Sequence, residues 1–159
     1  MTEKERNEQK KEYLNSYKRL CRKLQSLEEQ LESLREVEQS AKIQEISDMP
    51  KGNKQTDLSD YMVKLDKIAY KIIRAKQECM NKKLDIENRI ADVEDGLESA
   101  ILHKRYIEMK SWEKIACDIG YTRMQVYRIH GNALNNFSFK KGEHNKCNEK
   151  YIRTLEYKL

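Results

Sequence analysis

The chain has 159 residues, 37% of them charged and 38% hydrophobic, with one Pro, five Gly and a mean hydropathy of −0.98. That composition is thin for a compact globule and excludes a helical membrane span, which needs ~20 consecutive apolar residues; it fits long solvated helices with narrow apolar stripes, an all-α class. The formal charge of +5 is unevenly placed, with 12 Lys and Arg against 6 Asp and Glu in residues 100–159 but 20 against 21 in residues 1–99, so the C-terminal part is the one that attracts a phosphate backbone or an acidic partner.

The start, Met1 to Arg6, is mixed in charge and no apolar core of a signal peptide follows it, so a cytoplasmic location and no membrane partner are expected. From Tyr13 the apolar residues alternate steps of four and three through Tyr17, Leu20, Leu24, Leu27, Leu31 and Leu34. This is a heptad stripe. It ends in Ser47-Asp48-Met49-Pro50-Lys51-Gly52-Asn53, and Thr56 or Asp57 is placed to cap a second helix. That helix repeats the pattern at Leu58, Tyr61, Leu65, Ile68, Ile72, Ala75 and Cys79, falters at Lys82, and resumes shifted by one residue at Ile86, Ile90, Val93 and Leu97. Residues 1–93 are therefore expected to form a coiled-coil arm of two long helices with a loop at about 47–56. Heptads alone do not choose between a hairpin within one chain and a homodimer through the arm.

Glu94-Asp95-Gly96 marks the next break, and residues 94–137 the next unit. In "SWEKIACDIGYTRMQVYRIHGNAL", residues 111–134, a helical spacing of 100° per residue puts Trp112, Ile115, Ala116 and Ile119 on one side, with Lys114, Cys117 and Asp118 away from it. Ser111 is a natural N-cap, Gly120 supplies a sharp turn, and Thr122 caps a second helix over about 122–136. On that helix Val126, Ile129, Ala133 and Phe137 point inward, whereas Met124, Tyr127, Arg128, Gly131 and Asn135 point outward. No acidic residue occurs between Asp118 and Glu143, a surface suited to a polyanion. A major groove admits one helix, and Arg, Gln and Asn carry the planar donors that read base edges. Arg123, Gln125, Tyr127 and Arg128 are accordingly the leading candidates for DNA contact, with Met124 and Asn135 on the same face. Thr122, Lys114 and Lys110 are placed to hold phosphates. Residues 138–159 read as a basic tail with room for one short helix.

The stretch "LHKRYIEMKSWEKIACDIGYTRMQVYRIHGNAL", residues 102–134, resembles region 4 of bacterial sigma-70-type factors without gaps, and resembles more closely the phage and prophage regulators of the RinA/ArpU-like late-gene type and their relatives, with which it also shares the "DMPKG" loop at residues 48–52. The resemblance implies a helix-turn-helix whose second helix binds DNA through positions matching Arg123, Met124, Tyr127 and Arg128, and a contact with RNA polymerase. It also carries departures. The family's acidic residue after the first Arg is Met124 here and its next Arg is Tyr127, so the sigma target sequence does not carry over. Residues 1–99 lack the aromatic and basic set that melts a promoter, so the chain is not a complete sigma factor.

No enzyme constellation is visible: no Gly-rich phosphate loop, no nucleophile with a supporting base, no carboxylate cluster for metals. Cys21, Cys79, Cys117 and Cys147 stand far apart and are read as free thiols, and neither a cofactor nor a metal site is expected. The expected function is a sequence-specific, phage-type transcriptional regulator whose partner is double-stranded DNA. Two alternatives of other classes are a small terminase subunit, which also joins a helix-turn-helix to an oligomerising helical part, and a structural coiled-coil protein without DNA binding.

Overall fold

A computed structural model describes residues 2–44 and 54–139, the side chains of 38–44 and 54–58 excepted, and every regular element among them is helical. Helix α1 is Glu3–Gln44. Its start is fixed reciprocally: the Glu5 amide donates to Thr2 Oγ1 at 3.3 Å, and the Thr2 amide donates to the Glu5 carboxylate at 2.8 Å, which satisfies two otherwise orphaned donors. Helix α2 is Lys54–Ala91. It begins ahead of Thr56 and Asp57, because Lys54 and Gln55 are good helix formers and extend it backwards. The Ser47–Asn53 turn and the tail from residue 140 lie outside the described residues.

The two heptad seams meet inside the chain. Helices α1 and α2 run antiparallel, with the Cys21 and Cys79 sulfurs 3.2 Å apart and the Tyr61 hydroxyl donating to the Leu34 carbonyl at 3.4 Å. Lys76 pairs with Glu28 at 3.0 Å and Lys23 with Glu78 at 3.6 Å along the edges. Ile72, Ala75 and Cys79 are buried in the seam. Cys21, Cys79 and Cys117 are free thiols, and burial pushes the Cys79 thiol up to about 11.

The one-residue shift of the α2 stripe at Lys82 has a side-chain cause. Tyr13 of α1 occupies that level, its hydroxyl donating to Asp85, with Lys82 Nζ 4.2 Å and the Arg89 guanidinium 5.0 Å from the ring centroid. Arg89 in turn donates to Asp85 at 3.0 Å. Burial, then the Asp85 carboxylate, raises the Tyr13 phenol above its ordinary range. Past this polar layer Ile86, Ile90 and Val93 join Leu14, Leu102, Tyr106, Ile107, Ala133, Leu134 and Phe137 in one core. A single apolar cluster therefore runs across residue 93, from the arm into the small C-terminal unit.

Helix α3, Gly96–Leu102, starts where the sequence breaks: the Asp95 carboxylate accepts from the Leu97 and Glu98 amides, both at 2.9 Å. It continues into one π-helical turn, His103–Ile107, and the chain then bends through Met109, a non-glycine residue at φ 55. Such a backbone is uncommon outside glycine. It is held by the Lys110 amide donating to the Lys104 carbonyl at 3.0 Å and Arg105 donating to the Lys110 carbonyl at 2.8 Å. Helices α4, Trp112–Ile119, and α5, Arg123–Asn136, complete the unit. Ile101, Ile115, Ala116 and Val126 form its second core, flanked by Leu97, Trp112, Ile119 and Ile129. None of the described helices is long and apolar enough to cross a membrane.

Candidate nucleic-acid interface

The turn between α4 and α5 is built from local backbone chemistry. Ser111 Oγ accepts from the Lys114 amide at 3.3 Å and opens α4. Gly120 closes it in the left-handed region at φ 71, ψ 29, a conformation that costs a side-chain-bearing residue about 1 kcal/mol or more. The Tyr121 amide bonds back to the Ala116 carbonyl at 3.0 Å. Two residues later Thr122 caps α5: its Oγ1 accepts from the Gln125 amide at 3.3 Å, and its own amide donates to Gln125 Oε1 at 2.9 Å. Caps on both sides of so short a connector fix the angle at which α5 leaves α4.

Packing below the turn then sets which side of α5 is open. Val126 and Ala133 are fully buried and Leu134 and Phe137 nearly so. His130 is also inside, sharing a 3.0 Å hydrogen bond with the Tyr106 hydroxyl and meeting the Trp112 ring edge-on at 4.9 Å. Burial, with the Lys11 and Arg105 charges beside it, lowers its pKa to about 4, so it is a neutral core residue at pH 7. Trp112 is the hinge of this side: Arg105 lies 4.4 Å over its ring and Tyr127 packs on it at 4.9 Å.

The opposite side is open. Met124 is 80% exposed and Tyr127 42% exposed, and Thr122, Arg123, Gln125 and Arg128 are exposed with them. Arg128 makes no ion pair among the described residues, whereas Arg123 is paired with Glu113 of α4 at 2.8 Å and lies 5.9 Å from the Tyr127 ring. Glu113 is held below the ordinary carboxylate range by its own backbone amide and by Arg123. The first turns of α5 thus present two cations, Arg128 and the Arg123 shared with α4, together with a phenol, a thioether and a carboxamide on a single surface.

Other residues singled out from the sequence sit differently. Lys110 is clamped between Glu108 at 2.6 Å and Asp118 at 2.7 Å, hydrogen bonds that raise its pKa. Lys114 is exposed and touches Asp118 only at 3.5 Å. Asp118 therefore collects three lysines, since Lys104 also reaches it at 3.5 Å; this acidic hub faces away from the apolar side of α4, as its spacing implies, but besides Lys114 of the same helix its partners come from 8 and 14 positions back. Asn135 is at the far end of α5, where its Oδ1 accepts from Asn7 at 2.7 Å. Gln125 has a second task, since its Oε1 closes the Thr122 cap. No local pattern foretells that α1 docks here: Lys10 donates to the Leu134 and Asn135 carbonyls at 2.6 and 3.2 Å, a cation neutralising the C-terminal carbonyls of α5.

No curated protein and no solved structure matches the chain. A family model does, over residues 37–138, from the end of α1 that carries Val37 through the whole of α2 to α5. The matched span contains every residue of the shared core but Leu14, and the open face of α5. On that match the chain belongs to the family described as a protein of unknown function, DUF1492.

Proposed function

We propose that α4, the Gly120 turn and α5 form a helix-turn-helix that binds double-stranded DNA, with α5 entering the major groove, and that the protein is a non-catalytic, phage-type transcriptional regulator. One observation carries this reading: the outer side of the first turns of α5 is open and free of carboxylates of its own, with Arg128 in no ion pair among the described residues, while the inner side is sealed by the core. A helix surface of that kind is long-range attractive to phosphate and close-range able to hydrogen-bond base edges. The α5 N-terminus adds its partial positive charge and Lys114 a point cation for the backbone. Lys110 contributes less, because two carboxylates already hold it. The regulatory role and a contact with RNA polymerase rest on the resemblance of residues 102–134 to sigma region 4 and to late-gene regulators.

Selection from a randomised duplex pool tests the reading. The wild-type chain is expected to enrich one motif, and Arg128→Ala to lose about 1–3 kcal/mol at one base position while the rest of the motif persists. Enrichment of no motif, or an equal loss on every sequence, removes the base-reading role from α5. Co-purification of RNA polymerase with the bound complex checks the regulatory part separately.

A further inference from the structure

We propose that Cys21 and Cys79 are a redox pair across the α1–α2 seam, a thiol-oxidation site that takes a hydroperoxide and closes to a disulfide locking the hairpin. Their sulfurs stand 3.2 Å apart although the residues are 58 positions apart in sequence. That is inside the ~3.5–4.0 Å at which non-bonded carbons settle. A disulfide needs its sulfurs at about 2.05 Å, a further approach of about 1.2 Å that small χ1 rotations on the two side chains supply. The register that keeps the pair opposite is fixed on both sides. Tyr13 donates to Asp85 toward one end of the hairpin and Tyr61 to the Leu34 carbonyl toward the other, with the Lys23–Glu78 and Lys76–Glu28 ion pairs flanking the cysteine level. Cys117 is exposed on α4 and has no such partner among the described residues.

Burial gives the two sulfurs different parts. Cys21 is half-buried and open to a small oxidant, whereas Cys79 is 6% exposed and burial pushes its thiol up to about 11. The thiolate is the nucleophile, and access limits its reaction. Cys21 is therefore the attacking residue and Cys79 the resolving one. Beside Cys21 the Tyr17 hydroxyl hydrogen-bonds the sulfur and, raised by burial to about 12, remains a protonated donor at pH 7. With hydrogen peroxide, the Cys21 thiolate takes one peroxide oxygen, the O–O bond breaks, hydroxide leaves and is protonated to water, and Cys21 becomes a sulfenic acid. Cys79 then gives up its proton and its sulfur attacks that of Cys21. The S–O bond breaks, a second water leaves and the S–S bond forms. Two thiols lose two electrons and the peroxide gains them. A resolving sulfur this close intercepts the sulfenic acid before a second peroxide carries it to the irreversible sulfinic level.

Treatment of the reduced full chain with hydrogen peroxide, followed by alkylation and peptide mass mapping, tests this. No duplex enters the measurement, so its outcome is independent of DNA binding. The expected product is a peptide pair linking Cys21 to Cys79 within one chain, undone by dithiothreitol, with the unfolding midpoint of the oxidised chain raised by about 5–15 °C. Cys79→Ala is expected to leave Cys21 as a sulfenic acid that dimedone traps, and Cys21→Ser to leave the buried Cys79 unoxidised at the same dose; both lose the rise in midpoint. Mapping of the wild type decides the matter even where a variant folds poorly. Recovery of Cys21 and Cys79 as alkylated thiols while Cys117 is oxidised overturns the proposal; so does a link from either of them to another chain, or a Cys21–Cys79 link that lowers the midpoint.

Discussion

His130 illustrates how a residue at the edge of a helix face becomes part of the core. Its spacing on α5 puts it at the boundary of the inward face, and only the arrival of Tyr106 from the π-helical turn and Trp112 from α4 encloses it. Its folded pKa of about 4 lies below the ordinary value of 6.5. The unfolded chain thus binds this proton more readily, and the stability His130 contributes is present above about pH 6.5 and is lost as pH falls towards 4. The full loss is at most about 3 kcal/mol. Urea midpoints measured from pH 7 to pH 4.5 are expected to fall, and His130→Asn to flatten that part of the profile; an equally steep fall in the variant assigns the effect to carboxylates instead. The outward direction of Met124, Tyr127 and Arg128 was legible from helical spacing alone. The clamping of Lys110 was not, because Glu108 and Asp118 reach it through the bend at Met109, which no periodicity encodes.

At the level of elements, caps were the readable signals. Ser111, Gly120 and Thr122 sit where their side-chain and backbone chemistry places them, and α4 and α5 begin and end accordingly. Asp95 does the same for α3. Helix α2 starts a few residues ahead of its cap signals, since Thr56 and Asp57 are good caps but Lys54 and Gln55 are better helix formers. Gly131 remains as an element-scale anomaly: a Cβ built there meets nothing within 4 Å, so no neighbour in the chain requires glycine in the middle of α5. Gly131→Ala is therefore expected to stabilise the folded chain by about 0.5–1 kcal/mol. It is also expected to weaken duplex binding, because the outward side of α5 is where a close backbone approach to DNA leaves no room for a methyl group. Thermal melts and duplex titrations on the same variant check both; a variant that is more stable and binds duplex as tightly as wild type shows that Gly131 has no contact role.

The whole molecule joins an arm to the α3–α5 unit through one core rather than through a linker. The Glu94-Asp95-Gly96 break marks where the arm ends, and composition carries no sign that Leu14, 0% exposed, packs with Leu102, Ala133 and Phe137 from the other end of the chain. Contacts of such sequence separation leave no local trace in either segment. Leu14→Ala is expected to cost about 2–5 kcal/mol, and to lower the unfolding midpoint of the arm and of the C-terminal unit together. Arm helicity followed by circular dichroism and Trp112 fluorescence, which reports the unit, should move in one transition; two separated transitions contradict a shared core.

The central claim, that α5 meets a duplex, is tested most directly by equilibrium binding of labelled double-stranded DNA across a range of salt concentrations, with wild type and Lys114→Ala side by side. The account predicts a logarithmic affinity that falls linearly with the logarithm of salt, a slope smaller by about one in Lys114→Ala, and a loss shared by all sequences. Absence of duplex binding at low salt, or an affinity that does not change with salt, contradicts it.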